Sequence, residues 1–383
     1  MTTTLALTPV DAWFFGDGRP YNRMRADQTN VRSLFPPYAP TIVGAVRAAA
    51  ARKLGWDGRS NWNDDLKNQL GDGLCLGPLT FRGPMILRKH DEAWERLYPA
   101  PLHLLGKQQD EGEWQPATLL APEAETSVTD AGAMRMPLKV DGEAEDAKRP
   151  TGIWLTRGAV ERVLAGETPD ADGCVPSRRL WEHEPRVGLA REHASRRARD
   201  GELYSPAYVR LHDGGAAETD AGEVAVGTEV RGLDPDALPD CLMLGGESRM
   251  ADSTTVALPS RPECPAERIR KSGRMTVTAV TPLRLDEPAI TDELRPGAEL
   301  GDAFGPVAGA RLVSACIGKP EWIGGRHPKR NEPLPLKPHV AAGSTLFLQL
   351  PPDGLPADPS EIHGAKIGRR TAYGFGELLV GTW

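Results

Sequence analysis

Long apolar runs are missing from this chain of 383 residues. Its most hydrophobic stretches, such as Ile42 to Val46 and Thr345 to Leu350, are far too short to cross a bilayer. The opening MTTTLALTPVDAW has neither a basic n-region nor an apolar core of signal-peptide length, so a cytosolic protein is expected. Cysteine is scarce. Cys75, Cys174, Cys241, Cys264 and Cys316 stand singly with no C-x-x-C pair, which suits reduced thiols and argues against a zinc knuckle. The eight histidines are equally dispersed and form no H-E-x-x-H. Neither a phosphate-binding G-x-x-x-x-G-K-[ST] nor a G-x-S-x-G nucleophile elbow occurs. His90–Asp91 and His212–Asp213 lack the further ligands that a metal phosphohydrolase needs. The reading is therefore of a chain with no catalytic residues, no metal and no cofactor. An excess of positive charge is missing too. The net charge of −7 argues against a free-standing, non-specific nucleic-acid binder.

What is present is turn-forming residues and segregated charge. The 35 prolines and 41 glycines predict many turns and short strands, and the length suits two domains with insertions. Seven basic residues lie between Arg19 and Lys53 against Asp27 alone, and Arg178 to Arg199 holds seven arginines against three glutamates. Glu218 to Asp240, by contrast, carries seven acids and only Arg231. This separation allows one basic groove on an acidic body, or simply solvated faces of opposite sign.

Along the chain, Thr3 to Phe15 reads as a strand stopped by the turn signal GDGRP (Gly16 to Pro20). Thr41 is expected to cap a helix over Ile42 to Leu54, closed by Gly55, with Ile42, Val46, Ala49, Ala50 and Leu54 buried. Arg47, Arg52 and Lys53 fall off that stripe. Residues 56–180 mix short apolar pieces with proline, glycine and acids, and are taken as an insertion. Strands are expected at Arg186 to Ala190, Leu203 to Leu211, Val224 to Val230 and Thr254 to Leu258, with a short helix near Asp234 to Cys241. The Pro/Cys-rich PSRPECP (Pro259 to Pro265) reads as a linker, giving domains 1–262 and 263–383. Beyond it, Ala279 to Leu283 (AVTPL) restates Ala6 to Val10 (ALTPV). A small helical element is expected over Pro306 to Gly318, and strands over Ser344 to Leu350 and Glu377 to Trp383. The fold class expected is α+β, two ferredoxin-like (RNA-recognition-motif-like) domains with inserted loops and hairpins.

Four glycine- or arginine-rich stretches carry the functional reading. The C-terminal GRRTAYGFGE (Gly368 to Glu377) precedes a strand, so it cannot be a dinucleotide-binding turn, which opens a helix. Its glycines permit close approach of another chain. Arg369 and Arg370 suit phosphates, and Tyr373 or Phe375 a stacked base. A bulged loop whose aromatics fill the core is the alternative. In GDGRPYNRMRAD, Arg19, Arg23 and Arg25 surround Tyr21, the interleaving used on single-stranded RNA. MLGGESR, with Gly245, Gly246 and Arg249, and EWIGGR, ending at Arg326, add two Gly-Gly turns closed by arginine.

Together with TPVDAWFFGDGRPY (Thr8 to Tyr21), LFPPYAPTIVGAVR (Leu34 to Arg47), LYPAPL (Leu97 to Leu102), PRVGL (Pro185 to Leu189), GELYSPAYVRL (Gly201 to Leu211) and VAAGSTLF (Val340 to Phe347), these stretches make the chain resemble a known family. It resembles the RAMP superfamily of CRISPR proteins, within it subunit three of the type III-B Cmr effector complex, over nearly its whole length. The resemblance implies a non-catalytic, RNA-binding scaffold of an antiviral ribonucleoprotein. Such a subunit caps the 5′ handle of the crRNA and docks on the large polymerase-like signalling subunit and the first backbone RAMP subunit, without a membrane. Combined with the residue patterns above, the RNA contacts expected are Arg19, Tyr21, Arg23, Arg25, Arg47, Gly245, Gly246, Arg249, Arg369, Arg370, Tyr373, Gly374, Phe375 and Gly376, with Met134, Arg135 and Met136 as a thumb between guide bases. The chain departs from the family at Ile323 to Arg326, where a tryptophan after the glycine pair is expected. Two other readings stay open. One is a RAMP endoribonuclease, which would need an N-terminal histidine, whereas the first here is His90, or an aspartate such as Asp27. The other is a nucleotide-binding regulator or metabolic enzyme of two α+β domains.

Overall fold

The computed structural model describes residues 2–16, 30–90, 92–109, 113–129, 132–139, 144–191, 195, 197–213, 222–287, 289–330 and 332–383. They form a mixed α/β fold with several antiparallel sheets. The chain divides into two compact units, neither contiguous in sequence. The first takes Met1–Trp94, Arg178–Ala257 and Ile323–Leu336, the second Glu95–Ser177, Leu258–Trp322 and Lys337–Trp383.

The first unit is built on β1 (Thr2–Pro9), whose Leu5, Ala6 and Leu7 are covered on both faces. It is flanked by β3 (Val224–Arg231) and β5 (Met250–Val256), while β2 (Thr80–His90) pairs with β3 and β4 (Cys241–Met243) with β5. The order is therefore β2-β3-β1-β5-β4, every neighbour antiparallel. Helix α1 (Ala39–Lys53) packs against β2 and β4 through Ile42, Val43, Val46, Ala50 and Ala51. It begins before Thr41, because Pro40 sits in its first turn, where a missing N–H costs nothing, and Tyr38 takes the N-cap position. Gly55, at φ 92°, ends it as expected, and Arg52 and Lys53 complement its C-terminus. The stretch 56–180 holds helix α2 (Asp64–Leu70), capped by the Asn63 side chain on Leu66 N–H, before β2. A second sheet of this unit joins Trp181–Pro185, Ala198–Leu211 and Gly188–Arg191.

The second unit has a four-stranded antiparallel sheet. Its strands are β6 (Arg274–Ala279), β7 (Arg311–Cys316), β8 (Thr345–Gln349) and β9 (Leu378–Gly381), in the order β7-β8-β6-β9. Met275, Val277, Leu312, Leu348, Phe304 and Val380 fill its core. Each such side chain contributes about 1.5–3 kcal/mol on burial. Helices α3 (Arg157–Leu164), α4 (Ala266–Ser272) and the one-turn α5 (Pro359–Ile362) belong to this unit. The expectation of a helical element over Pro306 to Gly318 is corrected. The 3-10 turns, broken at Gly305, span Asp302–Val307 and reach only its first two residues, and Arg311–Cys316 is strand β7, with Leu312, Ser314 and Cys316 buried in alternation. The short helix near Asp234 to Cys241 is one 3-10 turn, Pro235–Ala237.

Buried histidines make the second unit acid-sensitive. Burial pushes His103 and His339 down to about 4, and lowers His363 as well. A depressed histidine stays neutral in the folded protein while the unfolded chain takes up protons below about pH 6.5. Their contribution is thus complete above that pH and is lost as pH falls toward 4. The unfolding free energy from denaturant titrations is expected to fall between pH 6.5 and pH 4.5, by up to about 1.4 kcal/mol per pH unit for each of these histidines. A flat profile through that window would refute the assignment.

Candidate nucleic-acid interface

The C-terminal glycine stretch is a strapped turn. Gly368 and Gly376 have φ of 80° and 74°, and a β-carbon on either would stand 2.3 Å from Arg284 O or 2.0 Å from Ile367 O. Only glycine lets these backbones approach. Arg369 N–H donates to Arg284 O (2.8 Å) and Gly376 N–H to Pro282 O (3.0 Å), so the turn is tied to the segment after β6. Thr281 Oγ1 donates to Gly374 O at 2.8 Å and accepts from Glu377 N–H at 2.9 Å. The Glu377 carboxylate is fully buried and takes a two-pronged grip from Arg96, at 3.0 and 2.9 Å.

This strapping puts arginines outside and aromatics inside. Arg369 is exposed and donates through Nε to Asp286 Oδ2 at 2.6 Å. Arg370, itself at φ 58°, has its guanidinium 5.7 Å from the Tyr373 ring centroid. Half-buried Arg284 completes the group. Burial first, then the charges of Arg370 and Arg369, lower its pKa against the opposing pull of Asp286. The hydrogen bond from Arg369 holds Asp286 below the usual carboxylate range. Phe375, by contrast, is 1% exposed and packs on His339, ring centroids 5.0 Å apart. Tyr373 is buried as well. The base-stacking role expected of these two rings does not fit their burial. They fill the core, because the left-handed residues Gly374 and Gly376 on either side of Phe375 turn it inward.

In the first unit, the Gly245–Arg249 turn lies on Phe14, with Gly246 N–H donating to its carbonyl at 2.7 Å. Arg249 reaches Asp11 at 2.9 Å, and its guanidinium stands 4.4 Å from the Tyr208 ring, whose hydroxyl donates to Glu247. Arg186 lies 5.0 Å from the same ring and grips Asp11 at 2.6 and 2.7 Å. Glu184 accepts from Arg186 and Arg210, both at 2.6 Å. Hydrogen bonding from Arg186, with Arg249 and Arg210 adding to it, takes Asp11 down to about 2. Three arginines here meet Asp11 and Glu184, while Glu247 is held by the Tyr208 hydroxyl, so three acids stand among three arginines.

Arg47 is not on an exposed face. It is buried and donates to Leu70 O (2.8 Å), Gly73 O (3.0 Å) and Cys75 O (3.5 Å), tying the turn after α2 to α1. The expected phosphate contact gives way to this structural one. Arg19, Tyr21, Arg23, Arg25 and Asp27 lie outside the described residues. In the expected thumb, Met134 ends the short hairpin Ser127–Thr129/Gly132–Met134. Arg135 folds back over Trp383, 5.4 Å from the ring, and Met136 is exposed beside Leu138. Sequence reasoning missed Arg284 and Asp286. The signal was present, since both follow the restated Thr-Pro motif.

Among the described residues, no group of three or more His, Cys, Asp or Glu side chains is placed to hold a metal ion, and no helix is long and apolar enough to cross a membrane. What the site and fold define is a mixed α/β binding protein with arginines presented on tightly strapped backbone. The chain belongs to the CRISPR-associated protein (Cas_Cmr3) family, whose model matches residues 5–383. It is thereby a RAMP-type subunit of the type III-B Cmr ribonucleoprotein, with a structural and RNA-binding part in it. The chain is matched by chains in two cryo-EM structures of the Type III-B Cmr-beta bound to cognate target RNA, one of them also with AMPPnP. In each the identity is 14%, the TM-score 0.48, and the match covers 90% of this chain and 86% of the other. No curated protein matches the sequence.

Proposed function

We propose that this subunit caps the 5′ handle of the crRNA and holds it by phosphate contacts from Arg369 and Arg370, with Arg284 beside them. The observation that carries the reading is the convergence of these three arginines on a glycine-strapped turn, where one of them, Arg369, is met by the carboxylate of Asp286. Backbone held this tightly presents guanidinium groups without the entropy cost of ordering a loop on binding. The Gly245–Gly246 turn and the Arg19, Tyr21, Arg23 and Arg25 segment supply further contacts, and the Met134–Met136 stretch, with Met136 exposed, wedges between guide bases. The large signalling subunit and the first backbone RAMP subunit are the protein partners. Both units are ferredoxin-like in this reading. The support is their shared strand order. Taken along the chain, the strands β1, β2, β3 and β5 lie 2-3-1-4 across their sheet, and β6, β7, β8 and β9 do the same.

The test is Arg369→Ala/Arg370→Ala in the full chain, titrated with labelled guide RNA over a range of salt concentrations. Affinity should drop by a similar factor for every RNA sequence tried. The slope of log K against log salt should shrink by about 0.7 for each phosphate that is no longer neutralised. An unchanged affinity and slope would remove this turn from the RNA path.

A further inference from the structure

We propose that Asp286 is a built-in stand-in for RNA phosphate, occupying Arg369 in the free subunit and giving way when RNA binds. The inference rests on the RNA-binding reading of this turn. Three features of the turn lead to it. The Arg369–Asp286 pair is exposed on both sides, so it adds little to folding and costs little to exchange. The backbone beneath it needs no such pair, because Arg369 N–H is already bound to Arg284 O at 2.8 Å. The neighbourhood also stays cationic around the one carboxylate that Arg369 binds. Arg369 and Arg370 both act on Arg284, and Arg284 and Arg370 also lower the buried His339.

A carboxylate oxygen and a phosphate oxygen accept the same charge-assisted bonds from a guanidinium. When a phosphate arrives, the Nε–H and Nη–H donors of Arg369 pass from Asp286 Oδ2 to the phosphate oxygen. Asp286 rotates to solvent and stays ionised, because an exposed carboxylate without a partner is still deprotonated at neutral pH. The carboxylate thus serves two ends. It keeps Arg369 extended and ready, and it sets a threshold that one isolated anion does not cross as readily as a chain of phosphates reaching Arg284 and Arg370 together. The Asp11 cluster of the first unit offers no such exchange, since Asp11 and Glu184 are each shared there by more than one arginine.

The experiment compares the full chain with Asp286→Asn, Arg369→Ala and the double variant, using a labelled single-stranded oligoribonucleotide and, separately, inorganic phosphate. Asp286→Asn keeps the side-chain shape and removes the competing charge. It should tighten RNA binding by about three- to tenfold and steepen the salt dependence by up to about 0.7. The gain should vanish in the double variant, and the difference between RNA and inorganic phosphate should narrow. An unchanged or weaker affinity in Asp286→Asn, while Arg369→Ala still weakens binding, overturns the stand-in role and leaves the RNA reading intact. If Arg369→Ala also binds normally, the RNA reading of this turn fails, and the stand-in with it. Melting temperatures of the variants exclude misfolding as the cause.

Discussion

Arg96→Ala is expected to lower stability by about 3–5 kcal/mol, the cost of leaving a buried charge without its partner. Glu377 has no exposed surface and its two carboxylate oxygens are held by Arg96 at 3.0 and 2.9 Å. The guanidinium also lies 4.7 Å from the Tyr98 ring, so truncation removes packing together with charge. With Arg96 gone, the carboxylate must protonate, admit water or pull the glycine turn open. Replacing both partners at once, Arg96→Met with Glu377→Leu, should recover most of the loss, because a buried ion pair is often no better than apolar side chains of similar volume. Urea midpoints of the two variants decide it. A loss below about 1 kcal/mol in Arg96→Ala would mean that solvent reaches Glu377.

The second large effect is expected at Gly376. Gly376→Ala puts a methyl group 2.0 Å from the Ile367 carbonyl, on a backbone at φ 74°. The neighbour is main chain and cannot swing aside. Relief requires loosening Ile367 N–H to Gly376 O and Gly376 N–H to Pro282 O, both 3.0 Å. The expected cost is upward of about 2 kcal/mol, from left-handed strain, the clash and weakened hydrogen bonds combined. Gly354→Ala is the matched control. Its φ of 78° imposes the same strain, but nothing lies within 4 Å, so it should cost only about 1 kcal/mol. Equal melting temperatures for the two variants would show that close approach at Gly376 is not the constraint.

Much of the fold could be read from local pattern. Helix α1 was legible because alanine-rich helical spacing ran into Gly55, and the restated Thr-Pro motif marked β1 and β6, the strand flanked on both sides in each sheet. The strand β7 was not, since Ser314 and Ala315 are too small to declare a face until β8 lies beside them. At the site, the glycines could be read from the sequence but the aromatics could not. Which way Phe375 points depends on the sign of φ at its two neighbours. Arg47 misled for a similar reason. Helical spacing placed its Cα near the edge of the buried stripe, whereas its guanidinium reaches the carbonyls of a turn more than twenty residues on.

The position of β1 has a consequence for synthesis. Its nearest partner strand begins at Val224, about 215 residues after Pro9. At roughly 5–20 residues per second on the ribosome, that strand waits about 10–40 s before either flank can be covered. Until then it is an apolar strand with two open edges. A nascent chain of this kind depends on holding factors that mask strand edges, and its yield in recombinant hosts should rise when translation is slow relative to their supply.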